Sequence, residues 1–172
     1  MSVFPKIPRC VITGHASGKS TIIQDGPANN VVEHLPELLI SDIWVTDTMP
    51  VDLEKEVNTK NTLFPQVPLN GSYFRYVHIP PDTELKKYWP ATSNVNSRHP
   101  LMHKTETVDY IIILSGELYL ILEESETLLK PGNIVIQRGT NHAWSNRSNK
   151  PCIQLAILLD AQSRCVDIHP SS

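Results

Sequence analysis

Short runs rich in Val, Ile, Leu and Tyr recur along the chain, broken by Gly, Pro, Asn and Asp, which is the rhythm of β-strands separated by turns. They predict strands over residues 10–13, 20–24, 41–46, 72–79, 108–114, 117–122, 126–129, 133–137, 143–146 and 152–159. Fourteen prolines spread over the length leave few windows for a helix of ten residues or more. One or two helical turns are expected only over 81–89, with Asp82 or Thr83 as N-cap. Many short strands with little helix make an all-β sandwich or barrel. Ser115-Gly116 and Lys130-Pro131-Gly132 read as the turns of two hairpins, which puts the core in the second half. Residues 47–70 are polar and proline-spaced and read as a long loop or an arm that wraps the barrel or a second subunit. The organisation is one domain: N-terminal strands and arm over 1–69, core over 70–162 and a tail over 163–172.

The stretch leading into the strand over 108–114 breaks the apolar pattern. In extended chain, positions two apart share a face, so His103, Thr105, Thr107 and Asp109 point the same way and make that face wholly polar. A polar inward face is costly unless it lines a wet or ligand-filled cavity. His142, 39 residues on, reaches the same cavity only if the intervening strands close into a barrel. Arg75 on strand 72–79 and Gln154 on strand 152–159 either line the cavity or face solvent. Tyr76 and His78, on the face opposite Arg75, are expected outside the barrel or at an interface. Arg138, before a glycine turn, is either a clamp for a carboxylate or enolate or a solvated turn residue. Trp144 shares a face with His142 and serves as an apolar wall over a substrate ring or as core packing.

These residues carry a resemblance to the cupin superfamily. Its first motif, G(x)5HxH(x)3-4E(x)6G, corresponds to His103-Lys104-Thr105-Glu106-Thr107-Val108-Asp109 with Gly116 following; its second, G(x)5PxG(x)2H(x)3N, corresponds to Gly132 through Gly139, His142 and Asn146. Thr105 replaces a histidine, Asp109 a glutamate and Gln137 a proline, and the second motif is one residue shorter before its histidine. The resemblance implies a cupin-type β-barrel (a jelly roll) with an N-terminal strand extension, and a chain similar to small cupins of natural-product, including polyketide, pathways. It implies a metal site of His103, Asp109 and His142, the facial set of two histidines and one carboxylate that suits non-haem iron, with Zn, Mn or Ni as other divalent occupants. With Thr105 in place of a ligand, the alternative is a metal-free acid–base pair in which His142 and His103 move protons, Asp109 orients an imidazole, and Arg138 or Arg75 stabilises developing negative charge. Thr105, Thr107, Trp144 and Gln154 are the expected substrate contacts. The leading expectation is dehydration, isomerisation or cyclisation of a carbonyl-bearing metabolite; a metal-dependent oxidoreductase and a non-catalytic binding module are the alternatives.

Charge and composition narrow the partners. Fifteen basic against eighteen acidic residues give a formal charge of −3 and a pI near 6.1, with no broad positive field for nucleic acid or an anionic membrane. A small molecule is the expected ligand. The expected assembly is a homodimer through strand edges and the outer face. Cys10, Cys152 and Cys165 fit no metal or disulfide spacing and read as reduced thiols. With no apolar signal core near the N-terminus and no window of 18 apolar residues, the cytoplasm is the expected address. The stretch from Thr13 to Thr21 imitates a phosphate-binding loop, but it is one residue short, with Thr13 where the first glycine belongs, and runs into a β-branched segment rather than a helix, so it reads as a glycine turn joining two strands.

Overall fold

A computed structural model describes residues 5–53, 66–89 and 97–162. The tail over 163–172, with Cys165 and His169, and half of the expected arm, 54–65, lie outside these residues. Eleven strands are described: β1 Arg9–Ala16, β2 Lys19–Pro27, β3 Val31–Leu35, β4 Leu38–Thr46, β5 Ser72–Ile79, β6 Thr107–Ser115, β7 Leu118–Leu122, β8 Glu126–Leu129, β9 Ile134–Arg138, β10 His142–Ser145 and β11 Cys152–Asp160. One helical turn, α1 Asp82–Leu85, runs into a 3₁₀ turn at Lys86–Tyr88. No described helix is long and apolar enough to cross a membrane.

The ladders make a six-stranded sheet in the order β3-β4-β5-β11-β6-β9, a three-stranded sheet in the order β10-β7-β8, and a separate β1-β2 hairpin. The two main sheets face each other as a jelly roll. Val77, Ile79, Ile113 and Cys152 from the large sheet meet Leu118, Leu120 and Leu129 from the small one. Val77 and Ile79 also line a cavity beside this packing.

The glycine turn is as expected: Ala16 pairs with Lys19, and Ser17 and Gly18 both have positive φ, the two-residue turn that matches strand twist. Ser115-Gly116 and Lys130-Pro131-Gly132 are not hairpin turns. Both long edges of β6 are already occupied, by β11 and β9, so the chain cannot fold back beside it and each turn carries the chain from one sheet to the other. Gly116 makes its crossing at φ +75°, with no room for a side chain: an added Cβ would stand 2.5 Å from the Pro151 carbonyl oxygen. The short strand β3 was absent from the predicted elements because Glu33, His34 and Pro36 interrupt its apolar run.

Asp82 is not an N-cap. That place falls to Pro81, and the Asp82 carboxylate turns inward, accepting from Ser145 Oγ at 2.6 Å and from the Asn146 backbone N–H at 2.9 Å. Asn146, fully buried, donates to the carbonyls of Ile79 and Lys150. The last residue of the second motif is thus a structural latch between β5, β10 and the 146–150 loop. Tyr76 and His78 lie on the outer face of the sheet as expected, yet they are buried: Tyr76 donates to the Pro5 carbonyl and His78 Nδ1 meets that of Glu37.

Candidate active site

The cavity between the sheets has a volume of about 260 Å³ and collects most of the residues singled out from sequence. Arg75 comes from β5, Asp109 from β6, Gln154 from β11, His142 and Trp144 from β10, and His103 and Thr105 from the segment entering β6. The walls are apolar, among them Ile40, Val77, Leu85, Ile111 and Leu158. Alternation explains the choice: Arg75, Ala156 and Ile111 are direct cross-strand partners, so all face inward, as do Asp109 and its partner Leu158.

Two expected residues stand elsewhere. Arg138 has the same parity on β9 as Ile134 and Ile136, so it points to the exposed outer face and stabilises nothing in the cavity. Thr107 lines a neighbouring polar cavity, where its hydroxyl donates to Thr105 Oγ1 at 2.8 Å. The polar face over 103–109 is not one continuous strand, because β6 begins only at Thr107. His103 is placed instead by a two-way backbone bridge to His142, with N···O distances of 2.8 and 2.9 Å.

That bridge brings the two imidazoles together, tilted by 48° with ring centroids 4.4 Å apart, and Trp144 meets the His142 ring edge-on at 5.7 Å. Each Nδ1 faces a backbone carbonyl: His103 that of Leu101 at 3.0 Å, His142 that of Thr140 at 2.9 Å. His142 Nδ1 also meets the Gln137 amide nitrogen at 3.2 Å, but its shorter contact is to the Thr140 carbonyl, which only accepts; that contact, like the Leu101 carbonyl at His103, favours the proton on Nδ1 and the lone pair on Nε2. Burial, reinforced by the neighbouring His103, pushes the pKa of His142 down to about 4. Burial pushes the Asp109 carboxyl up, against the pull of Thr107, Arg75 and His103. One Asp109 oxygen, Oδ1, is buried with no hydrogen-bond partner, as is Oε1 of Gln154.

Two contributors had no assigned role in the sequence reading. Gln137, which replaces the second motif's proline, is buried on the inner face of β9; its amide donates to the carbonyl of Thr140 at 3.0 Å and also meets the Thr140 hydroxyl, fixing the turn that aims His142. Asp42 holds the Arg75 guanidinium, with contacts of 2.6 Å at Nε and 3.2 Å at Nη2. Nη1 is left to reach a ligand. Period-two parity would have found Gln137; no local signal points to Asp42.

His103, Asp109 and His142 share the cavity but do not make a metal centre as placed. Among the described residues no three His, Cys, Asp or Glu side chains come together closely enough to hold an ion.

The Cupin_2 cupin domain matches residues 90–158. Phomopsin biosynthesis cluster protein D of Diaporthe leptostromiformis is 34% identical over 155 residues, covering 84% of this chain and 73% of that protein. A cupin-domain-containing oxidoreductase of Hypocrea virens is 30% identical over 161 residues, covering 88% of this chain and 75% of its own length. The chain belongs to the cupin-domain family. Its relatives are fungal proteins of biosynthesis clusters and cupin-domain oxidoreductases. Among solved structures, the Cupin_2 domain of an XRE family transcriptional regulator from Enterobacter cloacae matches at 16% identity and a TM-score of 0.37, over 53% of this chain and 83% of that one.

Proposed function

We propose that this cupin is an enzyme that moves protons on a carbonyl-bearing small metabolite, as in dehydration, isomerisation or cyclisation. The observation that carries the reading is the pair of adjacent imidazoles, each held by a carbonyl at Nδ1, in a cavity whose walls are mostly apolar. His142, neutral at cellular pH because its pKa lies near 4, takes a proton from the carbon beside the substrate carbonyl. Negative charge then gathers on the carbonyl oxygen, where the free Arg75 nitrogen donates to it, beside Asp109, whose carboxyl burial shifts toward its neutral form. The proton taken by His142 passes to His103 Nε2 and from there to a leaving hydroxyl in a dehydration, or to the far carbon in an isomerisation, which returns both rings to their starting state. Every bond made or broken involves only protons and the substrate's own groups, so no oxidant is needed. The relatives' place in fungal biosynthesis clusters supports a natural-product substrate, polyketide-like in carrying carbonyl groups.

The test is exchange of hydrogens beside the carbonyl of a cyclic ketone for deuterium, followed by NMR. Exchange above background is expected with the native protein, and a loss of about a hundredfold or more with His142→Asn and with His103→Asn, both still folded by circular dichroism. Equal exchange by all three proteins would overturn the reading.

The name of the Hypocrea virens relative favours a second reading, a metal-dependent oxidoreductase. Elemental analysis of protein prepared without chelator separates the two. Stoichiometric metal, with activity abolished by a chelator, supports the second; well under 0.1 metal per chain with chelator-resistant activity excludes it.

A further inference from the structure

The cavity has a direction. Inner-face residues along β11 run from Gln154 and Ala156, which line the histidine cavity alone, through Leu158, which lines both cavities, to Asp160, which lines only the neighbouring one. Strand β5 gives the same order: Val77 in the first cavity, Arg75 in both, Tyr73 in the second. The second cavity, about 320 Å³, is bordered by Lys104, Glu106 and Asp160 and is the charged end. The two meet at Arg75, Thr105 and Leu158, so a mostly apolar chamber adjoins a charged one.

At the apolar end sits one polar group without a function. Gln154 is 5% exposed, and its cross-strand neighbours are Val77 on one side and Ile113 on the other. Its Oε1 has no hydrogen-bond partner. Nothing around it explains an amide there, and a buried unpaired acceptor is a standing cost of folding. Four residues along β11, Leu158 pairs with Asp109, whose Oδ1 is the other unpaired acceptor of the cavity. Four residues of strand span roughly 13 Å, so the two acceptors sit at different depths of one channel.

We propose that Gln154 reads the substrate's buried end: the ligand is an apolar ring compound that carries, besides the carbonyl at the histidines, a hydroxyl or N–H group at its far side, and this group donates to Gln154 Oε1. The inference rests on the proposed function only in taking the histidine cavity as the substrate site. A site with a buried acceptor discriminates strongly against the analogue lacking the donor, because the acceptor then stays unpaired under the ligand. An apolar residue at 154 would admit both analogues alike.

The experiment is calorimetric titration of the full chain with two probes, 6-hydroxy-2-naphthaldehyde and 2-naphthaldehyde, which differ only in the hydroxyl. Native protein is expected to bind the hydroxylated probe about tenfold or more tightly than its parent. In Gln154→Leu and, as a second replacement of similar length, Gln154→Met, the ratio should fall to about one, with affinity for the parent aldehyde kept or improved. His142→Asn should keep the native ratio. A native ratio near one, a ratio that survives both Gln154 replacements, or no measurable binding of either probe overturns the inference. If the ratio collapses in the Gln154 variants while His142→Asn and His103→Asn leave hydrogen exchange intact, the acid–base reading fails and the role of Gln154 stands.

Discussion

His142 and Asp109 line one cavity, and burial moves both toward their neutral forms, which for a base means a lower pKa and for an acid a higher one. The consequence for rate is specific. An ordinary histidine base loses activity below about pH 6.5, whereas with His142 near 4 the acid limb of kcat/KM should lie below pH 5. A limb centred near 6.5 would remove His142 as the base. The same shift affects stability. Between pH 6.5 and about 4 the unfolded chain binds a proton at this residue and the folded one does not, so folding loses stability as pH falls through that window, by about 3 kcal/mol in all. Asp109 acts in the opposite sense, since its raised pKa makes the folded form hold its proton longer as pH rises. The comparison of native protein with His142→Asn isolates the histidine: denaturant midpoints measured from pH 7 to 4 should fall less steeply in the variant. At this scale the sequence exposed His103, Asp109 and His142 through motif and parity. Parity also placed Arg138 with Ile136 on the outer face, and following it there would have replaced Arg138 with Gln137.

At the scale of elements, the strands were legible because β-branched and apolar runs bounded by turn residues survive as a local signal; β5 and β8 match their predicted limits residue for residue. Which strands pair was not legible. That depends on which edges are free, and β6, flanked by β11 and β9, has none for β7. Gly116 is where the chain makes this change of sheet, and Gly116→Ala combines a left-handed backbone with a Cβ 2.8 Å from Cys152 Cα. It should cost about 2 kcal/mol or more and lower the melting temperature by about 5 °C. The α1 turn is held by Asp82, and Asp82→Ala strands the buried Ser145 hydroxyl and Asn146 N–H. A loss of about 2 kcal/mol is expected by chemical denaturation, with Leu85 displaced from the cavity wall and probe binding weakened alongside. Unchanged stability in either variant would contradict the placement of these elements.

Over the whole molecule, the large sheet separates a chemical face from an outer one. Trp44, Phe74, Ile157, Tyr110 and Ile136 are successive cross-strand partners and form an apolar row across five strands, and Tyr110, Ile134, Ile136 and Ile157 are exposed. A contiguous patch of this kind marks a contact surface. The expected homodimer would use it, and light scattering should then show a dimer that Ile136→Lys converts to a monomer, whereas a monomeric native chain would leave the row without that role. The inner face bears the central claim, since both sheets, the bridge between His103 and His142 and the turn braced by Gln137 together hold one imidazole neutral with Nε2 open. Nitrogen-15 NMR of the histidine side chains through a pH titration reads that state directly. The account predicts that the His142 ring is protonated at Nδ1 alone at neutral pH and gains its second proton near pH 4; a ring that carries its proton on Nε2, or that titrates near 6.5, would contradict it.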